Sequence, residues 1–174
     1  LGVIDADGDH LAYAGPYPLE DRSYADAPWF GETMLRGVWI SDVFLGFRGV
    51  PHFVVAVKSE ADDEPWILRA TIDSEVFTHL VRGAQLGTTG DAYIVNGAGR
   101  YQTPPRFGGV ILAKAPFDVV SAPPGTNVTR RRRPGGEAVL TATAWLPELD
   151  WLLVVDRDPK EALGPLRVAR NMEL

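Results

Sequence analysis

Gly90-Asp-Ala-Tyr-Ile-Val-Asn-Gly-Ala-Gly-Arg-Tyr-Gln-Thr103 reads as an apolar strand, a glycine turn and a second strand. Glycine reaches positive φ without steric cost, so Gly97-Ala-Gly99 between extended runs is a hairpin signal. The same grammar opens the chain in Gly2-Val-Ile-Asp-Ala-Asp-Gly-Asp-His-Leu-Ala-Tyr13, where Asp5 to Asp9 supplies the turn. A chain of 174 residues that states one pattern twice predicts two mixed α/β modules in tandem, each of about 75 residues, rather than one large sheet.

Working outward from the first hairpin, residues 16 to 28 carry Pro16, Pro18 and Pro28 and form a loop. Trp29, Phe30, Met34 and Leu35 follow at near-helical spacing up to Gly37, which predicts a short helix. Three β-type runs come next, Val38 to Phe47, Pro51 to Lys58 and Pro65 to Asp73, separated by Arg48-Gly49 and the acidic turn 60–64. Short strands with tight polar turns imply an antiparallel meander. Ser74 reads as the N-cap of a helix whose stripe is Phe77, Leu80, Val81 and Ala84, ending before Gly87. Past the second hairpin lie a proline-rich loop at 104–125, a hairpin of Glu137 to Trp145 and Trp151 to Val155, and a partial helical stripe over 159–172. The fold class is α+β, with antiparallel sheets flanked by short helices. Because the chain begins in a strand, it reads as lacking a leading helix.

Composition narrows the function. With 17 Lys+Arg against 23 Asp+Glu the formal charge is −6, which opposes phosphate backbones and excludes nucleic acid as the expected partner. Hydrophobic residues at 45% predict a packed core. The absence of Cys removes disulfides, thiolate zinc sites and thiol nucleophiles. No apolar stretch approaches the ~20 residues that span a bilayer. Asp5 to Asp9 is not a calcium loop, since His10 and Pro16 stand where that pattern needs Gly and Glu. Gly97-Ala-Gly99 lacks the third glycine of a dinucleotide fingerprint, and His10, His52 and His79 show no metal spacing. No metal and no cofactor are expected.

Alternation locates candidate binding residues, because i and i+2 share a face of a strand. In Pro65 to Asp73 one face is apolar, Trp66, Leu68, Ala70 and Ile72, and is expected to be buried against the missing helix. The other carries Ile67, Arg69, Thr71 and Asp73, whose polar groups need solvent or a ligand. Phe44 shares a strand face with Asp42 and Ile40, and His52 shares one with Val54, with Lys58 and with Ala56, whose small size leaves room for a guest. Trp29, Phe30 and Phe44 serve equally well as plain core, and Arg69 with Asp73 as a surface ion pair. Arg130 to Arg133, a basic run in an acidic chain, reads as a solvated strand end or loop, or as a contact for lipid headgroups.

Gly37-Val-Trp-Ile-Ser-Asp-Val-Phe44, Val50-Pro-His-Phe-Val-Val-Ala-Val57, Trp66-Ile-Leu-Arg-Ala-Thr-Ile-Asp73 and Gly87-Thr-Thr-Gly-Asp-Ala-Tyr-Ile-Val95 together resemble the double Cache sensor domains of bacterial receptors, especially those of membrane-bound histidine kinases. The resemblance implies a membrane-distal PAS-like, ligand-binding module at 1–75, a connecting helix and membrane-proximal module at 76–158, and a helix at 159–174 leading toward a second membrane span. It implies an extracytoplasmic domain without catalysis, tethered to the membrane, homodimeric in the full receptor, and binding an amine, amino acid or carboxylate. Family members that bind amino acids use aromatic residues and an aspartate at the places of Trp29, Phe30, Phe44 and Asp73. They also use an Arg where this chain has Ala27. The candidate ligand-binding residues are therefore Trp29, Phe30, Asp42, Phe44, His52, Arg69, Thr71 and Asp73, with two ligand classes open: an amine met by Asp73, or a carboxylate held by Arg69. A chemotaxis receptor is the rival output, and a small hydrolase using Asp42, His52 and Asp73 is the rival of another class.

Overall fold

A computed structural model of the chain describes residues 1–19, 22–59, 64–83, 87–133 and 135–164. It divides into two compact units, Leu1–Ser74 and Glu75–Leu174, each built on one antiparallel sheet.

The first unit contains β1 (Gly2–Ile4), β2 (His10–Tyr13), α1 (Pro28–Arg36), β3 (Val38–Ile40), β4 (Phe44–Leu45), β5 (Pro51–Lys58) and β6 (Ile67–Asp73). The sheet runs β2-β1-β6-β5-β3, with β4 also on β5. Pro28 opens α1 at a position where its missing N–H costs nothing, and Gly37 closes it with φ 83°, a conformation that glycine alone takes freely. Trp29, Phe30 and Thr33 form the buried stripe of α1. They pack with Ile4, Tyr24, Val54, Ala56 and Ile67 on one face of the sheet. Lys58 Nζ donates to the Met34 carbonyl at 3.0 Å and so ties the last turn of α1 to β5.

One expectation fails here for a physical reason. The single strand anticipated over Val38 to Phe47 is broken, because Ser41 Oγ accepts the Val54 N–H at 2.9 Å while Ser41 N donates to the Val54 carbonyl. A side chain replaces a ladder carbonyl and the strand steps by one face. Ile40 consequently opposes Val55 on the outer face, whereas Phe44 opposes His52 on the inner one. Asp42, in the step, is exposed. β6 keeps the two faces read from its alternation, with Ile67, Arg69, Thr71 and Asp73 on one and Leu68 on the other. Ile67 and Arg69 are buried under α1, and Leu68 is 44% exposed beside exposed Val57 and Val38.

The second unit follows α2 (Ser74–Arg82) with β7 (Asp91–Asn96), β8 (Tyr101–Thr103), β9 (Thr126–Arg132), β10 (Ala138–Trp145) and β11 (Trp151–Arg157), ordered β8-β7-β11-β10-β9. Numbered within each unit, and with β3 and β4 counted as one broken strand, both sheets read 2-1-5-4-3. The α2 stripe reaches the core through Phe77, whose ring lies 5.8 Å from that of Trp151. Ala84 and most of the 159–172 stripe lie outside the described residues, but 159–164 are helical.

β9 is the element that periodicity misses. Thr-Asn-Val-Thr-Arg-Arg-Arg has no apolar alternation, and the strand is held by its ladder to β10 and by Arg131. Arg131 turns inward, donating to Asp156 at 2.6 Å, to Thr141 Oγ1 at 2.7 Å and to the Tyr93 hydroxyl at 3.2 Å. The basic run is thus not uniformly solvated. Burial, with the Asp156 charge adding to it, pushes the Tyr93 hydroxyl pKa up.

The segment carrying the family resemblance has structural work in this unit. Asp91 accepts the Arg106 and Phe107 N–H groups and fixes the loop after β8. Thr88 N and Thr89 N donate to the Glu161 carboxylate at 3.0 and 3.2 Å, and Thr89 Oγ1 donates to it as well. These bonds hold the Glu161 carboxyl below the usual carboxylate range. A Cβ on Gly87, at φ 75°, would collide with that carboxylate.

Asp156 is the buried partner of Arg131, so removing its charge leaves a cation uncompensated. Asp156→Asn is expected to destabilise the domain by about 3 kcal/mol in urea unfolding. Arg131→Met combined with Asp156→Leu should recover most of that loss, since an apolar pair needs no charge partner. A double variant no more stable than the single one would show that the network acts otherwise.

Candidate functional site

The inner face of the first sheet gathers most of the predicted residues. Register places His52 opposite Asp73, Val54 opposite Thr71 and Ala56 opposite Arg69, and antiparallel partners share a face. Phe44 joins His52 with ring centroids 4.6 Å apart. α1 lays Trp29 and Phe30 over this surface, their rings 6.1 Å apart and edge to face. Seven of the eight residues, all but Asp42, therefore belong to one surface.

Arg69 is its centre. Only 6% of the residue is exposed. Its guanidinium carbon lies 4.4 Å from the Tyr24 ring centre and 5.2 Å from that of Trp29. Aromatic faces attract a cation, and more strongly when water is excluded. Yet Arg69 Nε is buried without a hydrogen-bond partner, and so are the Tyr24 hydroxyl and both ring nitrogens of His10, whose ring stands 5.3 Å from Tyr24. Among the described residues no carboxylate forms an ion pair with Arg69. Burial lowers its pKa from the ordinary arginine value, tyrosines oppose that shift, and Arg48 adds to it.

Asp73 is not Arg69's partner. Four residues along a strand span about 13 Å. Asp73 instead accepts from Arg48 at 2.8 Å, and the Arg48 guanidinium stacks on Tyr17 at 4.4 Å. His52 is buried, and its Nδ1 donates to the Val50 carbonyl at 2.8 Å, which leaves Nε2 as the lone-pair nitrogen of a neutral ring.

Sequence reasoning missed Tyr24, His10 and Arg48. Tyr24 lies in a loop that looked merely polar. It is seated because Gly8, at φ 90°, lets the loop backbone approach and its carbonyl accepts the Tyr24 N–H at 2.7 Å. An aromatic residue five places before Trp29 was the available signal.

No family model and no curated protein matches the sequence. The fold matches the extracellular domain of rpHK1S-Z16, a protein assigned as a histidine kinase, with a TM-score of 0.72 at 21% identity over 93% of this chain and 71% of that one. It also matches the ligand-binding domain of the Pseudomonas aeruginosa amino acid chemoreceptor PctB with L-Arg, at TM-score 0.71 and 14% identity over 98% and 70% of the two chains. PctC of the same organism, in complex with GABA, matches at TM-score 0.64 and 16% identity over 90% and 73%. The chain shares its fold with these extracellular and ligand-binding domains. On the first sheet, β5 and β6 supply the polar residues and α1 the aromatic cover.

His52 gives this face a pH signature. Burial first, and the Arg48 and Arg69 charges after it, lower its pKa from 6.5, against the pull of the Val50 carbonyl. Below pH 6.5 the unfolded chain takes up a proton that the folded domain refuses, so the His52 contribution to stability is lost as pH falls toward the lower folded value. Urea unfolding at pH 7.5 and 5.5 should show a larger loss for the native chain than for His52→Gln. Equal losses would overturn this reading.

Proposed function

We propose that the chain is an extracytoplasmic small-molecule sensing domain of a transmembrane receptor, built from two tandem PAS-like modules. The first, residues 1–75, takes the ligand on the Arg69 face. The second, 76–158, carries the exit helix at 159–174 toward the membrane. One observation carries the reading: seven residues assemble on a single face around buried polar atoms that no described residue satisfies. Buried polar groups without partners cost about 1–3 kcal/mol each, so a face that keeps several of them is built for a guest.

The second unit supports the same assignment by contrast. Ile4 and Val95 precede the two hairpin turns and oppose Ile67 and Leu152. Counting along each strand from there, Arg69 corresponds to Val154 and Thr71 to Asp156. The second face thus has an apolar side chain at the Arg69 position, its Arg131 is paired with Asp156, and its Asp91 accepts two backbone N–H groups.

Among the described residues, Asp42, His52 and Asp73 do not come together as an acid–base set. Asp42 is exposed off the face, Asp73 is bound to Arg48, and His52 Nδ1 is held by Val50. Signalling follows from differential binding, in which the ligand favours one of two receptor states. The output is a histidine kinase, as assigned for rpHK1S-Z16. Chemotaxis is the alternative, since PctB and PctC are chemoreceptors.

A thermal-shift screen of amines, amino acids and carboxylates tests the reading. A ligand at 100 times its Kd should add about 2.7 kcal/mol of stability. Saturable binding with the ligand recovered unchanged by NMR is the expected result. Conversion of the ligand would identify an enzyme, and no response to any class would remove the sensor reading.

A further inference from the structure

We infer that the first unit binds a small monocarboxylate that lacks an ammonium group, with its carboxylate on Arg69, and that Arg48 already fills the place beside Asp73 where a ligand ammonium would sit. This rests on the sensor reading above and specifies the ligand's charge.

The inference follows from the charge balance of the face. Among the described residues four ionic groups belong to it: Arg48, Lys58, Arg69 and Asp73. Arg48 and Asp73 satisfy each other at 2.8 Å, and Lys58, half-buried at the end of β5, donates to the Met34 carbonyl, which leaves Arg69 as the buried cation without an anion. A buried cation needs an anion or dense hydrogen bonding, because removal from water penalises the charged form. Arg69 has two aromatic faces against it and an Nε with no acceptor. A monoanion neutralises Arg69. An amine would add to the positive excess. A zwitterionic amino acid would leave the excess unchanged and would have to displace Arg48 to place its ammonium.

The neighbouring groups suit a carboxylate. The Tyr24 hydroxyl, 4% exposed as a residue and without a partner, is a donor beside the guanidinium. His10, edge-on to Tyr24 and beside Gly2, the β1 partner of Arg69, offers a second donor. Ala56, opposite Arg69 on β5, is the smallest side chain on the face, and Trp29 supplies an apolar wall for a short tail.

The test uses the chain itself with three-carbon probes of matched size, propionate, n-propylamine and L-alanine, together with a C2–C6 monocarboxylate series, read by thermal shift and calorimetry. Carboxylates should stabilise the chain saturably and the amine should not. Arg69→Gln should weaken carboxylate binding at least 30-fold, whereas Asp73→Asn should change it less than threefold. Without ligand, Arg69→Met should raise Tm, because it removes an unneutralised buried charge; a fall would mark Arg69 as structural and overturn the inference. Binding of propylamine or alanine that survives Arg69→Gln and is lost in Asp73→Asn would also overturn it, while leaving the sensor reading intact. Failure of every class would remove both.

Discussion

The Arg69 guanidinium is buried against the rings of Tyr24 and Trp29, on the face of the first sheet that α1 covers. Because side chains alternate along a strand, fixing Arg69 inward fixes Ile67, Thr71 and Asp73 inward and sends Leu68 out. α1 must then cover that face with its Trp29 and Phe30 stripe, and the loop before it must deliver Tyr24. The charge remains costly. Desolvating an ion costs several kcal/mol, and one cation–π contact returns about 2 kcal/mol when water is excluded. Aromatic packing therefore holds the cation in place without neutralising it.

Much of the architecture was legible because its signals are local. Pro51 to Lys58 is a strand with those bounds, and Pro28 and Gly37 bracket the helix through backbone constraints that act within one residue. The failures were non-local. Hydrophobicity ranked Leu68 above Arg69 for burial, since transfer free energies take no account of two aromatic rings arriving from another part of the chain. The break at Ser41 depends on a hydroxyl finding Val54, thirteen residues on. β9 carries no apolar alternation and exists because Arg131 meets Asp156, twenty-five residues away. At the site, residue types were readable but pairings were not: Asp73 found Arg48 from a glycine turn instead of Arg69 on its own strand.

The two sheets share a strand order and solve the charge problem differently. In the second, Arg131, Asp156, Thr141 and Tyr93 close a network in which each ionic group has a partner. In the first, the cation is left open. The Gly87-to-Val95 segment, the most specific part of the resemblance to sensor domains, is scaffold, where Asp91 and the threonines fasten loops.

Glu161 adds a rule for splicing. Its carboxylate is clasped by Thr88 and Thr89, so the azimuth of the helix begun at 159 is set by the segment leading into β7. A chimaera joined downstream of Glu161 inherits that azimuth. A junction upstream discards the clasp, and the helical turn that replaces it is then free to rotate against the sheet.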